Sequence, residues 1–341
     1  MHSAPSSFSD TRRRSFLFLM GLSLLLLATV LVALSAGSYQ TPLVELIKGL
    51  FGQSTDANIN LLVRANRLPR ICTALLAGGG LGVTGCVFQA ILHNPLASSS
   101  TLGVSQGAGF GAAFSIIVLN LPGRAFIPLF AFLGSMAVAL LILALSRLRP
   151  ISAQGIVLAG VAISAMFSGA TTLIQYFADE VQLSTLLFWT FGDLGATSWS
   201  DVGLLALLTL PVCLLFLAWR WDFNALLQGT ETASSLGIRV GRLTLQNMVL
   251  CCLICSVIVS QVGLISFIGL AAPHMVRLVV GHNHSFLLPG SMLAGGLLLL
   301  LGDLLARTVW SPVVLPIGAI TAFSGGPLFL YLLLQGGRRP C

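Results

Sequence analysis

The chain has 341 residues, 56% of them hydrophobic and only 8% charged, with 17 basic and 10 acidic side chains for a net charge of +7. Soluble domains carry about a quarter of their residues as charges, so this composition excludes a set of water-soluble domains and requires a polytopic membrane protein. The basic residues are scattered over short breaks rather than gathered on one face, which reads as membrane topology and not as a nucleic-acid surface.

A bilayer core about 30 Å thick takes roughly 20 apolar residues per helix, so about ten spans fit in this length. Residues 1–14 form a polar tail ending in Arg12, Arg13 and Arg14, and the apolar run Ser15 to Ser35 follows. Arg13-Arg14-Ser15-Phe16-Leu17 imitates a twin-arginine export signal. The apolar run is longer than a signal core and many more follow it, so it is predicted to be a first transmembrane helix. Further spans are predicted at Pro69 to Leu92, Leu96 to Leu119, Ala125 to Leu145, Gly155 to Phe177, Val202 to Trp219, Leu243 to Gly263, Leu264 to Val280, Pro289 to Ala306 and Pro316 to Leu334. The eighth is short and contains Gly269 and Pro273, which predicts a broken helix covered by neighbouring protein. Two apolar pieces, Leu43 to Phe51 and Leu183 to Phe191, are too short to cross and are predicted to lie at the outer interface.

The expected architecture is therefore an all-α polytopic membrane protein of about ten transmembrane helices. It comprises one transmembrane domain over 15–335, a tail over 336–341, and a polar cytoplasmic stretch over 221–243. For ten spans a five-plus-five inverted repeat is expected. With the N-terminus in the cytoplasm, Arg12, Arg13, Arg14, Arg147, Arg149, Arg220, Arg239, Arg242, Arg277, Arg338 and Arg339 fall on that side. Lys48, Arg64, Arg67, Arg70, Arg124 and Arg307 fall outside, and the majority satisfies the positive-inside rule. The outer cluster Arg64, Arg67 and Arg70 runs against the rule; it is explained either by a task or by snorkelling to lipid phosphates.

Gly103, Gly107 and Gly111 recur every four residues at the start of the third span, and Gly78, Gly82 and Gly85 lie in the second. Small residues at this spacing let helix backbones approach closely in lipid. Both helices are expected to pack tightly inside the bundle.

Several motifs fail for lack of context. Gly103-Val104-Ser105-Gln106-Gly107 matches a nucleophile elbow, but that motif needs a strand-to-helix turn. His282-Asn283-His284 has no cysteine or carboxylate close by and reads as a solvated loop. Six of the seven cysteines fall in apolar runs and the seventh is the terminal Cys341, so they read as small apolar side chains rather than a disulfide framework. No catalytic, cofactor-binding or metal-ligating residue is expected. Asp303 and Arg307, four apart on one helical face, read as an ion pair or as a docking pair. A nucleotide-binding Walker loop needs Gly-Lys-[Ser/Thr], yet the only lysine, Lys48, lies between Ile47 and Gly49. Ion-coupled transporters usually place an acid in mid-membrane, and the ten acids here fall in breaks or near span ends. What remains is a pore-forming chain that draws its energy from a cytoplasmic partner.

The stretches Arg67-Leu68-Pro69-Arg70, Gln89 to Ala97 (QAILHNPLA), Leu102 to Gly109 (LGVSQGAG), Leu158 to Ala162 (LAGVA), Ile265 to His274 (ISFIGLAAPH), Gly302 to Arg307 (GDLLAR) and Leu315 to Gly318 (LPIG) closely resemble the permease subunits of ABC importers for iron-siderophore complexes, haem and vitamin B12. The similarity runs through nearly the whole chain from about Ser35. It implies a ten-helix permease of a bacterial or archaeal cytoplasmic membrane, with both termini in the cytoplasm. It further implies dimerisation with a second copy, two cytoplasmic ABC ATPase subunits that bind ATP and Mg, and a periplasmic or lipid-anchored binding protein that delivers a metal chelate. An iron(III)-siderophore is the favoured substrate, with haem or vitamin B12 as alternatives. The family's docking arginines carry over onto Arg67 and Arg307, with Arg64 and Arg70 as neighbours. Its cytoplasmic gate maps to Asn94, Leu96, Ser152 and Ala153. Its ATPase contact, built as short coupling helices, maps to Gly229, Thr230, Glu231, Ala233, Leu236 and Gly237, with Thr230 where many relatives carry an acid.

Overall fold

The structure is a computed structural model that describes residues 8–36, 43–50, 52–54, 56–121, 123, 125–148 and 153–336. Among the described residues it is all helical. Helix α1 (Phe8–Ser35) is followed by a short α2 (Leu43–Leu50). Helix α3 (Ala57–Leu61) then runs through a π-helical turn (Leu62–Arg67) into α4 (Leu68–Ile91). Next come α5 (Val104–Ala113), prolonged by a π-helical turn (Phe114–Val118), α6 (Phe126–Leu148), α7 (Ala153–Gln175), α8 (Glu180–Phe191) and α9 (Trp199–Ala218). The polar stretch folds as α10 (Arg220–Leu226) and α11 (Thr230–Ser235). Helices α12 (Val240–Val262), α13 (Ile268–Val280), α14 (His284–Thr308) and α15 (Ile317–Gly336) complete the chain.

Among the described residues, seven helices are long and apolar enough to cross a membrane, and three shorter apolar ones, Val104–Val118, Ile268–Val280 and Ile317–Tyr331, fill the remaining expected positions. Six of these ten precede the polar stretch and four follow it. That stretch therefore does not divide the chain into halves of five. An even number of crossings before it returns the chain to the side on which α1 begins.

Helix α4 is the centre of the bundle. It packs against α14, α13, α12 and α9, and its residues are buried almost without interruption from Ile71 to Ile91. Glycine makes these approaches possible. A Cβ on Gly78 or Gly82 would run into the backbone oxygen of Gly295 or Ser291 on α14, and one on Gly85 would overlap that of Gly269 on α13. Close backbone contact replaces the hydrophobic drive that lipid does not supply. Gly107 and Gly111 do the same for α5 against α6, facing the carbonyls of Gly134 and Phe130. Both glycine-bearing helices are thus tightly packed, but against α14 and α6 rather than against each other.

Two boundaries differ from expectation. The second span is part of one continuous helix, Ala57–Ile91, so Arg64, Arg67 and Arg70 sit on a helix and not in a loop. The third starts only at Val104, because Ser98, Ser100 and Thr101 hydrogen-bond among themselves and to local carbonyls. Hydroxyl side chains that bond the nearby backbone in this way compete with helix formation.

Candidate functional site

Chemistry-bearing side chains gather at the two ends of the bundle. At the end where α1 finishes, the guanidinium of Arg67 is held by α1, its Nη1 donating to the Leu34 carbonyl at 2.5 Å. Arg307, near the end of α14, donates to Ala36 at 2.8 Å and to Ala33 at 2.5 Å. The last carbonyls of a helix have no partner within it, and cations are favoured there by its dipole. Arg67 and Arg307 supply both needs and are 3% and 8% exposed. Asp303 is fully buried between them and Arg70: its Oδ1 accepts from Arg70 Nε at 2.7 Å, and Arg307 Nε stands 3.3 Å from its Oδ2. Arg64 is exposed, and its carbonyl accepts the indole N–H of Trp199 at 2.7 Å. Arg67, Arg70, Arg307 and Asp303 thus tie α1, α14 and the continuous helix Ala57–Ile91 together, with the Arg64 side chain outside the group beside Gly52, and the ion pair expected between Asp303 and Arg307 is present and is shared with Arg70.

At the opposite end the polar stretch makes a shelf of two short helices. Gly229 (φ 101°) and Gly237 (φ 86°) bracket α11 with left-handed backbone that side-chain-bearing residues rarely adopt. Between them Ala233 is buried, while Thr230, Glu231 and Leu236 are exposed, Leu236 by 67%. Helix α10 ties the shelf to the core. Asn224 accepts the backbone N–H of His284 at 2.8 Å and donates to Asn283 Oδ1 at 3.1 Å, and His93 Nε2 lies 3.1 Å from the Leu226 carbonyl. Arg277 Nη2 donates to Gln89 Oε1 at 2.6 Å, pinning α13 to α4 nearby. Burial, and next the Arg277 guanidinium, hold the His282 imidazole below its usual range.

The His282-Asn283-His284 loop is therefore not simply solvated. His284 is 2% exposed and its ring lies 5.6 Å from that of Phe223. Sequence reasoning assigns no role to Asn224, His93, Asn283 or the Gln89–Arg277 pair, whose hydrogen bonds join elements at this end of the bundle. Asn283 alone carried a signal, an Asn at the N-cap of an apolar helix, where its side chain accepts from Ser285.

Of the expected gate, Asn94 forms a tight turn, its Oδ1 accepting the Leu96 N–H at 2.9 Å, and Leu96 is exposed. The residues that follow lie along α7: Gly103 (φ 81°) faces Ser164, and Gly160 approaches Thr101 and Leu102. Ala153 opens α7. Ser152 lies outside the described residues, as do Arg124, Arg149, Arg338 and Arg339.

A glycine-welded helical bundle with an exposed polar shelf at one end and an arginine cluster at the other is a polytopic permease, a multi-pass protein of the inner membrane. Residues 25–335 match the FecCD transport family, and the chain belongs to that family. It is 36% identical to the hemin transport system permease HmuU of Yersinia pestis, over 91% of this chain and 94% of that one. It is 36% identical to the vitamin B12 import system permease BtuC of Klebsiella pneumoniae, over 96% of each chain. To the Fe(3+)-citrate import system permease YfmE of Bacillus subtilis it is 32% identical, over 96% of this chain and 98% of that one. A solved structure of a metal-chelate type ABC transporter in an inward-facing conformation superposes with a TM-score of 0.83 at 30% identity, over 93% of this chain and 99% of that one. The protein is a membrane permease subunit of an ABC importer.

Proposed function

We propose that this permease carries an iron(III)-siderophore-type chelate from a periplasmic or lipid-anchored binding protein into the cytoplasm by ATP-driven alternating access. The observation that carries the reading is α11, an exposed helix whose neighbour α10 is hydrogen-bonded to the turn after α4 through His93 and to the start of α14 through Asn224. Force applied at Glu231 and Leu236 reaches the bundle through those bonds. The sequence holds no Gly-Lys-[Ser/Thr] loop, so ATP is bound with Mg and hydrolysed by two separate ATPase subunits docked on Gly229 to Gly237. This puts α10, α11 and both termini in the cytoplasm and the arginine cluster outside.

In the same reading, Arg67 and Arg307 receive carboxylates of the binding protein, with Arg64 and Arg70 beside them. A carboxylate accepts a charge-assisted, bidentate bond that a helix-end carbonyl cannot match, which favours exchange of one partner for the other. Asn94 and Leu96, with Ser152 and Ala153, close the pathway on the cytoplasmic side, and a second copy of the permease completes it. Haem or vitamin B12 is the second reading, favoured by the 36% identity to permeases for those substrates against 32% to the Fe(3+)-citrate permease.

The test is uptake into proteoliposomes holding the permease and its cognate ATPase, with binding protein loaded with ferric siderophore, haem or cobalamin. ATP-dependent uptake of the ferric siderophore is expected. Uptake driven by a proton gradient without the ATPase would overturn the importer mechanism, and uptake of haem or cobalamin alone would overturn the substrate.

A further inference from the structure

The end of the bundle that carries α10 also holds a cleft of about 390 Å³ that neither coupling nor docking uses. Thr11, Arg12 and Ser15 of α1 form one wall, Arg220 and Trp221 at the start of α10 a second, and Ser285 of α14 lies across from them. Its depth in the membrane follows from its neighbours. Arg12 to Arg14 give way at Phe16 and Leu17 to the apolar body of α1, and the exposed Trp221 indole belongs at the headgroup level.

The lining has the chemistry of an anion site. Arg220 spends one N–H on the Leu217 carbonyl at 2.8 Å, and its guanidinium carbon lies 5.6 Å from the Trp221 ring. A guanidinium has five N–H donors, so others remain for a ligand. Arg12 is exposed and forms no ion pair among the described residues. The Ser285 hydroxyl is shielded from solvent without a hydrogen-bond partner among the described residues, an arrangement that costs free energy unless a ligand supplies one. Among the described residues, no carboxylate lines the cleft. Asn283, its Oδ1 already taken by Asn224 and the Ser285 N–H, also lines it, and Phe286 and Val280 add apolar surface, which an inorganic or nucleotide phosphate would not use but an acyl chain would.

We propose that this cleft binds the phosphate of an anionic phospholipid headgroup, with Arg12 and Arg220 holding the phosphate, Ser285 donating to it and Trp221 packing on the glycerol and upper acyl chain. The bound lipid would join α1 to α10 and α14, the helices that anchor the shelf. The inference rests on the membrane placement of α1 and not on the identity of the transported chelate.

The test uses the full chain in phosphatidylcholine vesicles containing a minor fraction of phosphatidylglycerol with brominated acyl chains, which quench nearby indoles. The Trp221 contribution is isolated by difference from Trp221→Phe. Trp221 should be quenched at a lower mole fraction by brominated phosphatidylglycerol than by brominated phosphatidylcholine. Arg12→Gln and Arg220→Gln should each raise the half-quenching fraction about fivefold, the worth of one basic side chain beside an anionic lipid. Equal quenching by the two lipids overturns the proposal. So does an unchanged Arg12→Gln variant, since that exposed side chain makes no packing contribution whose loss would blur the result. Recovery of Trp221 fluorescence on adding inorganic phosphate would assign the cleft to free phosphate and overturn the lipid.

Discussion

Arg70 and Asp303 meet across two helices, Nε to Oδ1 at 2.7 Å, although 233 residues separate them in the chain. Arg307 reaches the other oxygen of the same carboxylate from one helical turn further on, at 3.3 Å. One buried acid therefore holds two arginines in place at the end of the bundle. Removing a single partner from a buried charge network costs about 3–5 kcal/mol, because it leaves the other charges uncompensated. Asp303→Asn should destabilise the detergent-solubilised permease by that order, seen as a lower melting temperature. The Asp303→Asn, Arg70→Gln double variant should lose less than the sum of the two single changes. Strictly additive losses in a thermal melt would show that the pair is not coupled.

The apolar runs, the polar break at 221–243 and the glycine spacing were legible because each follows from a short-range rule: span length, charge density or helical period. Other features depend on partners distant in sequence. Asn58, Asn60 and Arg64 interrupt the apolar pattern before Pro69, so the continuity of Ala57–Ile91 depends on tertiary support from α1 and α2. His284 reads as solvated until Asn224, 60 residues away, covers it. Arg67 and Arg307 read as outward-facing because the carbonyls that hold them belong to α1, which no local pattern indicates.

Those carbonyl bonds bear on docking. With Arg67→Glu and Arg307→Glu combined, association with the cognate binding protein should be lost, and α1 should lose its C-terminal cap as well. Lysine at both positions separates the two effects. It keeps the charge at the end of α1 but lacks the planar fork that grips a carboxylate. Affinity measured by titration at low salt should fall severalfold for the lysine pair, while thermal stability changes little. Unchanged affinity in both variants would remove the docking role.

On the shelf, Leu236→Asp places a charge where an exposed apolar side chain stands and leaves the buried Ala233 untouched. Pull-down of the cognate ATPase should fail with this variant while the permease melts as before. Asn224→Ala is predicted to do the reverse. It removes the acceptor of the His284 N–H and leaves the exposed face of α11 intact, so the ATPase should still bind while ATP-driven uptake falls. An Asn224→Ala permease that transports at the normal rate would show that force does not pass through this bond.

Helix α5 contains its own control for the packing argument. A methyl on Gly111 would overlap the Phe130 carbonyl oxygen of α6, whereas one on Gly109 would meet nothing within 4 Å. Gly111→Ala must push α5 and α6 apart, and overpacking of this kind costs about 1–3 kcal/mol. Gly109→Ala adds no clash and gains helix propensity worth up to about 1 kcal/mol. The two variants differ only in which face of one helix carries the methyl group, so hydropathy and composition are equal between them. Thermal melts in detergent should place Gly111→Ala below the parent and Gly109→Ala at or above it. Equal melting temperatures would mean that α5 and α6 are not in backbone contact, and that the four-residue glycine spacing has some other cause.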